Sequence, residues 1–219
     1  MSFAVCFDAP TAAPDRSARV RRRADAPAAR IVSHGPLSPQ RALLEEFVRH
    51  QFLEHFGAKI RRFMPELLGL NDSNGAIRAV VGCRAAAAER LFLEAYTREP
   101  IEDALAARNG FFVPRERIVE VGSLACRNAT AAVAIVRALV PHLTNAGFSW
   151  VVFTGADTVM NVFRSLGLAP RALCPANPLL LGDARHDWGT YYDHNPHVLA
   201  GRIADGALAR GTREPRRAR

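Results

Sequence analysis

One segment limits the choice of fold more than any other. Arg117-Ile118-Val119-Glu120-Val121-Gly122-Ser123-Leu124 reads as a central strand: it is rich in β-branched residues and has no wet face of alternating polar residues. A strand of this kind needs cover, so the rest of the chain must supply helices to pack against it. Glu120 stands in its middle. It is therefore buried or faces a cleft, and either position is costly unless the carboxylate is paired.

The flanking pattern supplies the cover. Ile31 and Val32 begin a short strand. Ser38 caps a helix with Pro39 at its first position, Leu44, Val48 and Phe52 on its apolar face, and an end near Gly57. Residues 63–70 and 77–83 are the arms of a hairpin that reverses at Asn71-Asp72-Ser73-Asn74-Gly75. Residues 91–96 fit strand or helix. Pro100 opens a helix that Gly110 closes, and residues 129–146 form a second amphipathic helix whose last turn Pro141 kinks or tightens. A strand at 150–154, a short helix at 158–166 ended by Gly167 and a strand at 178–181 follow, then an aromatic, His-rich segment to His197. Strands alternating with helices make an α/β protein with a mixed sheet flanked by helices, not a bundle or a sandwich.

The net charge of +8 suggests a nucleic-acid partner until it is mapped. Residues 1–30 hold six Arg against three Asp, and residues 202–219 hold six Arg against one Asp and one Glu, which leaves +1 for the remainder. Both ends read as disordered basic tails that can touch anionic lipid, around one domain at 31–201 with no stripe for tracking phosphates. No apolar run approaches the ~18 residues needed to span a bilayer, and the start does not read as a secretory signal. Cys6, Cys83, Cys126 and Cys174 form no C-x-x-C pair, which argues against zinc-ribbon and thioredoxin readings. A reducing, cytoplasmic setting is expected, the alternative being export without a recognisable signal.

The order of elements resembles the GNAT superfamily of acyl-CoA N-acyltransferases. A narrower resemblance rests on Leu91-Phe92-Leu93-Glu94-Ala95-Tyr96, Pro100-Ile101-Glu102, Ile118-Val119-Glu120-Val121-Gly122-Ser123-Leu124-Ala125, Trp150-Val151-Val152-Phe153-Thr154 and Trp188-Gly189-Thr190-Tyr191-Tyr192-Asp193. Together, over roughly residues 40–203, they look like the bacterial thermostable hemolysin family, related in fold to GNAT enzymes and more distantly to acyl-homoserine-lactone synthases. The GNAT-like fold implies a central strand that splays from its neighbour and a following helix whose first amides bind the phosphates of an acyl donor, acyl-CoA or acyl carrier protein. Here that junction is Leu124, Cys126, Arg127, Asn128, Ala129, Thr130 and Ala131. Two departures stand out. Ala129, Thr130 and Ala131 occupy positions where the superfamily carries glycine. Phe163 occupies the place of its general-acid tyrosine and cannot donate a proton.

The resemblance implies transfer of the acyl group to a small amine; the family name implies membrane damage instead, and an inactive binding module is a third reading. Glu120 is the candidate base, its structural alternative being a pair with an arginine such as Arg84. Tyr191 and Tyr192 are candidate acids; an extended segment would turn one inward and one outward. Glu94, Glu102, Ser123 and Asn161 are candidate substrate-binding residues. His186, Asp187, Asp193, His194 and His197 match no metal-binding spacing, and no metal or permanently bound cofactor is expected.

Overall fold

The computed structural model describes residues 31–166 and 168–204, without the side chains at 158, 161 and 165. The expected N-terminal tail, and residues 205–219 of the C-terminal one, lie outside the described residues.

The elements in chain order are β1 (Ile31–His34), α1 (Arg41–Phe56), β2 (Glu66–Asn71), β3 (Ile77–Ala85), α2 (Glu94–Thr97), α3 (Ile101–Asn109), β4 (Ile118–Cys126), α4 (Ala129–Asn145), β5 (Trp150–Gly155), α5 (Asp157–Ser165), β6 (Arg171–Pro175) and β7 (His197–Arg202). The strands make one mixed sheet in the order β1-β2-β3-β4-β5-β7-β6, in which β4 and β5 are parallel and every other pair is antiparallel. One face packs a core around Ala132, Ile135, Val136 and Leu139 of α4. The other carries two adjoining cores, one built on Leu44, Val48 and Phe52 of α1 and one on α2 and α3. This is the GNAT-like α/β architecture expected.

Several local expectations hold for identifiable reasons. Asp72 closes the β2–β3 hairpin, its Oδ1 accepting from the amides of Asn74 and Ala76 at 3.0 Å each, while Gly75 takes a φ of 82°. Gly57 ends α1 with a φ of 63°. Residues 91–96, ambiguous in sequence, resolve to the short helix α2 and its approach.

Others need correction. Ser38 does not cap α1, which begins at Arg41; its hydroxyl bonds His34 Nδ1 at 2.9 Å. Pro100 sits one residue before α3, not at its first position. Residues 178–181 are not a strand but part of a 3-10 stretch, Pro178–Trp188. The strands that complete the sheet are β6 and β7, which the sequence reading missed. β7 reaches Arg202 and Ile203 is buried, so the domain runs past the boundary expected at 201.

Gly189 joins the aromatic segment to α1. At its φ of 51° an added Cβ would lie 1.8 Å from the Phe56 carbonyl oxygen, the same oxygen that accepts from the Thr190 amide at 2.9 Å. No side chain fits there. Gly189→Ala should cost at least about 3 kcal/mol and lower the melting temperature by roughly 6–12 °C. Gly182→Ala, at a φ of 57° but with open space around it, should cost about 1–2 kcal/mol. Thermal melts of the two variants check the difference.

Candidate active site at the strand fork

β4 and β5 pair at three positions only: Ile118 with Trp150, Val119 with Val151 and Glu120 with Val152. Beyond them β4 continues to Cys126 against β3 alone, so the two parallel strands fork. A bulge accompanies the departure. Gly122 and Ala125 of β4 face Gly82 and Val80 of β3, setting Ser123 and Leu124 against the single residue Val81, and Ser123 takes a φ of 51°. The extra residue shifts the alternation by one. Val119 and Val121 point to the α4 core before it, Leu124 and Cys126 after it, so the strand stays buried while its backbone turns. Ser123 is itself buried at the bend.

The fork leads into α4. Asn128 caps the helix, its Oδ1 accepting from the Ala131 amide at 3.0 Å. The first-turn amides of Ala129 and Thr130 have no acceptor within the helix, and both residues are exposed. Arg127 is held beside them by its Nε donating to the Ile77 carbonyl at 2.8 Å and by its guanidinium lying 5.6 Å over the Phe47 ring.

Glu120 occupies the foot of the fork with 0% exposure. Its Oε2 accepts from the Phe92 amide at 3.0 Å and its Oε1 from the Leu93 amide at 3.1 Å; Arg84 Nη1 lies 3.9 Å from Oε2. Burial pushes its carboxyl above the usual carboxylate range, against the opposing pull of Arg84 and the two amides. Glu120 thus holds the start of α2 against the sheet, and both its oxygens are engaged.

The adjacent amides end on a second carboxylate. Glu94 accepts from Leu91 and Ile101, each at 2.9 Å, and pairs with Arg115 Nη1 at 2.6 Å, which also reaches Glu102 at 2.6 Å. Burial works to raise the Glu94 carboxyl, but Arg115 and the two amides prevail and hold it below its ordinary range. The two acids expected to bind substrate therefore meet on Arg115, a residue the sequence reading did not single out.

Tyr191 and Tyr192 lie on a 3-10 turn, Tyr191–His194, so the extended alternation expected of them does not occur. Tyr191 is buried and its hydroxyl donates at 3.4 Å to the carbonyl of Thr154, on the part of β5 that pairs with β7 but no longer with β4. Tyr192 is half-buried; its hydroxyl meets that of Tyr96 at 2.5 Å, and its ring packs edge-on to Tyr191 with centroids 5.1 Å apart. Tyr96 was legible only as part of a motif. Phe163 stacks on Phe153 at 4.8 Å, in the opposite core. Asn161 falls on α5, its side chain outside the described residues. Among the described residues, no three His, Cys, Asp or Glu side chains are grouped to hold a metal.

On the α4 face a narrow apolar groove runs between the second half of α4 and the strands β5 and β7. Val121 and Phe153, the first residues past the last β4–β5 pair, line it together with Val136, Val140 and Phe163.

Replacing Glu120 by Gln leaves one of the two amides facing an NH2 group, which should cost about 1–3 kcal/mol. Because the folded-state carboxyl is raised, the stability it contributes is fully present below its unfolded value of about 4.3 and declines as pH climbs from there towards the folded value. The deficit of Glu120→Gln should therefore be larger at acid pH and narrow as pH rises, as measured by denaturant titration across that range.

No curated protein sequence matches the chain significantly. Solved structures do. The acyl-homoserine-lactone synthase LasI superposes with a TM-score of 0.57 at 12% identity, covering 87% of this chain and 100% of its own. FeeM, an N-acyl amino acid synthase from uncultured soil microbes, gives 0.56 at 13%, covering 83% and 94%. The CoA-dependent acyl-homoserine-lactone synthase BjaI, solved with SAM and isopentyl-CoA, gives 0.53 at 12%, covering 84% and 89%. At these identities the likeness is one of fold. Among the described residues no helix is long and apolar enough to cross a membrane. The family model for thermostable hemolysin matches residues 34–207, almost the whole of the sheet and its covering helices, and the chain belongs to that family.

Proposed function

We propose that the protein moves an acyl group from a pantetheine-linked donor, acyl-CoA or acyl carrier protein, to a small amine. The fork carries this reading. Where β4 leaves β5, facing strand edges lose their backbone partners, and polar backbone groups left that way need substitutes. A pantetheine arm is extended and carries two amides, so it can lie between the strands as a substitute strand. The α4 N-terminus at Ala129 and Thr130, with Arg127 beside it, suits the donor's phosphate. The side chains at these positions keep a diphosphate further from the backbone than glycine would, which favours a donor held mainly by its arm. The apolar groove that continues from Val121 and Phe153 suits the acyl chain.

In the reaction the amine nitrogen attacks the thioester carbon. The C–N bond forms first, giving a tetrahedral intermediate; the nitrogen loses a proton, the intermediate collapses with cleavage of the C–S bond, and the departing thiolate takes a proton up. Glu120 has the raised affinity for protons that a base needs, and reaches the amine through an intervening water. The Tyr192 hydroxyl, paired to Tyr96, is the nearest replacement for the acid that Phe163 cannot be. Ser123 and the strand-end amides stabilise the tetrahedral intermediate. LasI and FeeM, by their names, make products in which an acyl group sits on an amine nitrogen, and the shared fold supports the same chemistry here.

A donor at a hundred times its dissociation constant stabilises the folded chain by about 2.7 kcal/mol, or roughly 5–11 °C in melting temperature for a domain of this size. Octanoyl-CoA or octanoyl acyl carrier protein should produce that shift, and Ala129→Glu with Thr130→Glu should abolish it. A shift without turnover of any amine would support the inactive binding module. Dye release from anionic vesicles without donor, and no thermal shift, would support the lytic reading that the family name carries. Val140→Trp, which fills the groove, should lower kcat/KM for long-chain donors about tenfold while sparing acetyl donors.

A further inference from the structure

Thr154 lies on β5 two residues beyond Val152, the last residue of that strand paired with β4. It has 0% exposure, and its hydroxyl has no hydrogen-bond partner among the described residues. Leaving a buried hydroxyl unpaired costs about 1–3 kcal/mol, and a valine would fill the same space without that cost. The hydroxyl adds nothing to the fold, yet it belongs to the stretch of β5 that has parted from β4. The Tyr191 hydroxyl, on the Thr154 carbonyl at 3.4 Å, closes over the same point of the strand.

We infer that Thr154 is a positioning residue whose hydroxyl donates to an amide carbonyl of the pantetheine arm, an assignment that rests on the acyl-transfer reading above. Two residues of strand span about 7 Å. With the thioester at the Glu120–Val152 vertex, that distance brings Thr154 level with the first amide of the arm, past its two methylenes. The arm is common to acyl-CoA and acyl carrier protein, so one hydroxyl serves either donor. The bond forms in donor binding and is unchanged in the reaction, and so acts on affinity and not on the chemical step.

The test uses the full chain, with Thr154→Val and Thr154→Ser. Without donor, Thr154→Val should melt at or above the wild-type temperature. Titrated with octanoyl-CoA and octanoyl acyl carrier protein, it should bind each about tenfold more weakly, with KM raised to match and kcat unchanged; Thr154→Ser should restore binding. A donor-free Thr154→Val that is destabilised would show that the hydroxyl has a structural partner and overturn the inference. So would wild-type affinity in Thr154→Val, or a fall in kcat alone, while wild type still binds donor and the acyl-transfer reading stands. If wild type binds neither donor, that reading fails and this inference falls with it.

Discussion

The amides of Phe92 and Leu93 donate to the two oxygens of Glu120 at the residue where β4 and β5 part. Much of the candidate site hangs from that clasp. A carboxyl with no exposure is expensive to bury, and these amides offset part of the expense by giving each oxygen a donor. In return the carboxyl docks residues 91–97 on the sheet. That places Glu94 against Arg115 and the Tyr96 hydroxyl against Tyr192. The ion-pair bracket on one side and the tyrosine pair on the other both depend on a helix too short to stand by itself.

The fork is a consequence of the bulge as much as of missing strand pairs. Inserting one residue into β4 bends and twists the strand while keeping its side chains buried, because the alternation is shifted and the next apolar residues fall on the α4 side. The left-handed backbone of Ser123 is the strain accepted for that turn. With α4 beginning directly after the strand, unpaired strand edges and a helix start with open amides converge, while the apolar groove meets the fork at Val121 and Phe153 and runs beside the second half of α4. Each alone has ordinary structural explanations, and together they support a ligand that is extended, anionic at one end and apolar at the other.

The aromatic segment closes the opposite side. Gly189 lets its backbone touch the end of α1, and Trp188 then packs on Phe52 and Phe92 at ring separations of 6.3 and 5.8 Å. This gives a physical reason for the Trp-Gly-Thr-Tyr-Tyr run: the tryptophan joins the cores, the glycine permits contact, and the two tyrosines reach β5 and α2.

The sequence by itself determined the central strand, the hairpin with its turn at residues 71–75, the helices α1, α3 and α4, and the need of Glu120 for a partner whether buried or facing a cleft, because each is written in local periodicity, turn chemistry or the cost of an isolated charge. Asn128 entered through the resemblance to the GNAT junction, and the structure shows it as the α4 cap. Only the tertiary structure decided where that strand forks, since pairing between β4 and β5 is a contact between distant segments with no local signature. It also decided that Glu94 and Glu102 share Arg115, that Tyr192 meets Tyr96, and that β6 and β7 complete the sheet. Those strands are short, and their place was set by the partner edge of β5 more than by their own residues. A buried hydroxyl such as Thr154 is the extreme case, because only the finished packing shows which polar atoms have been left without a partner.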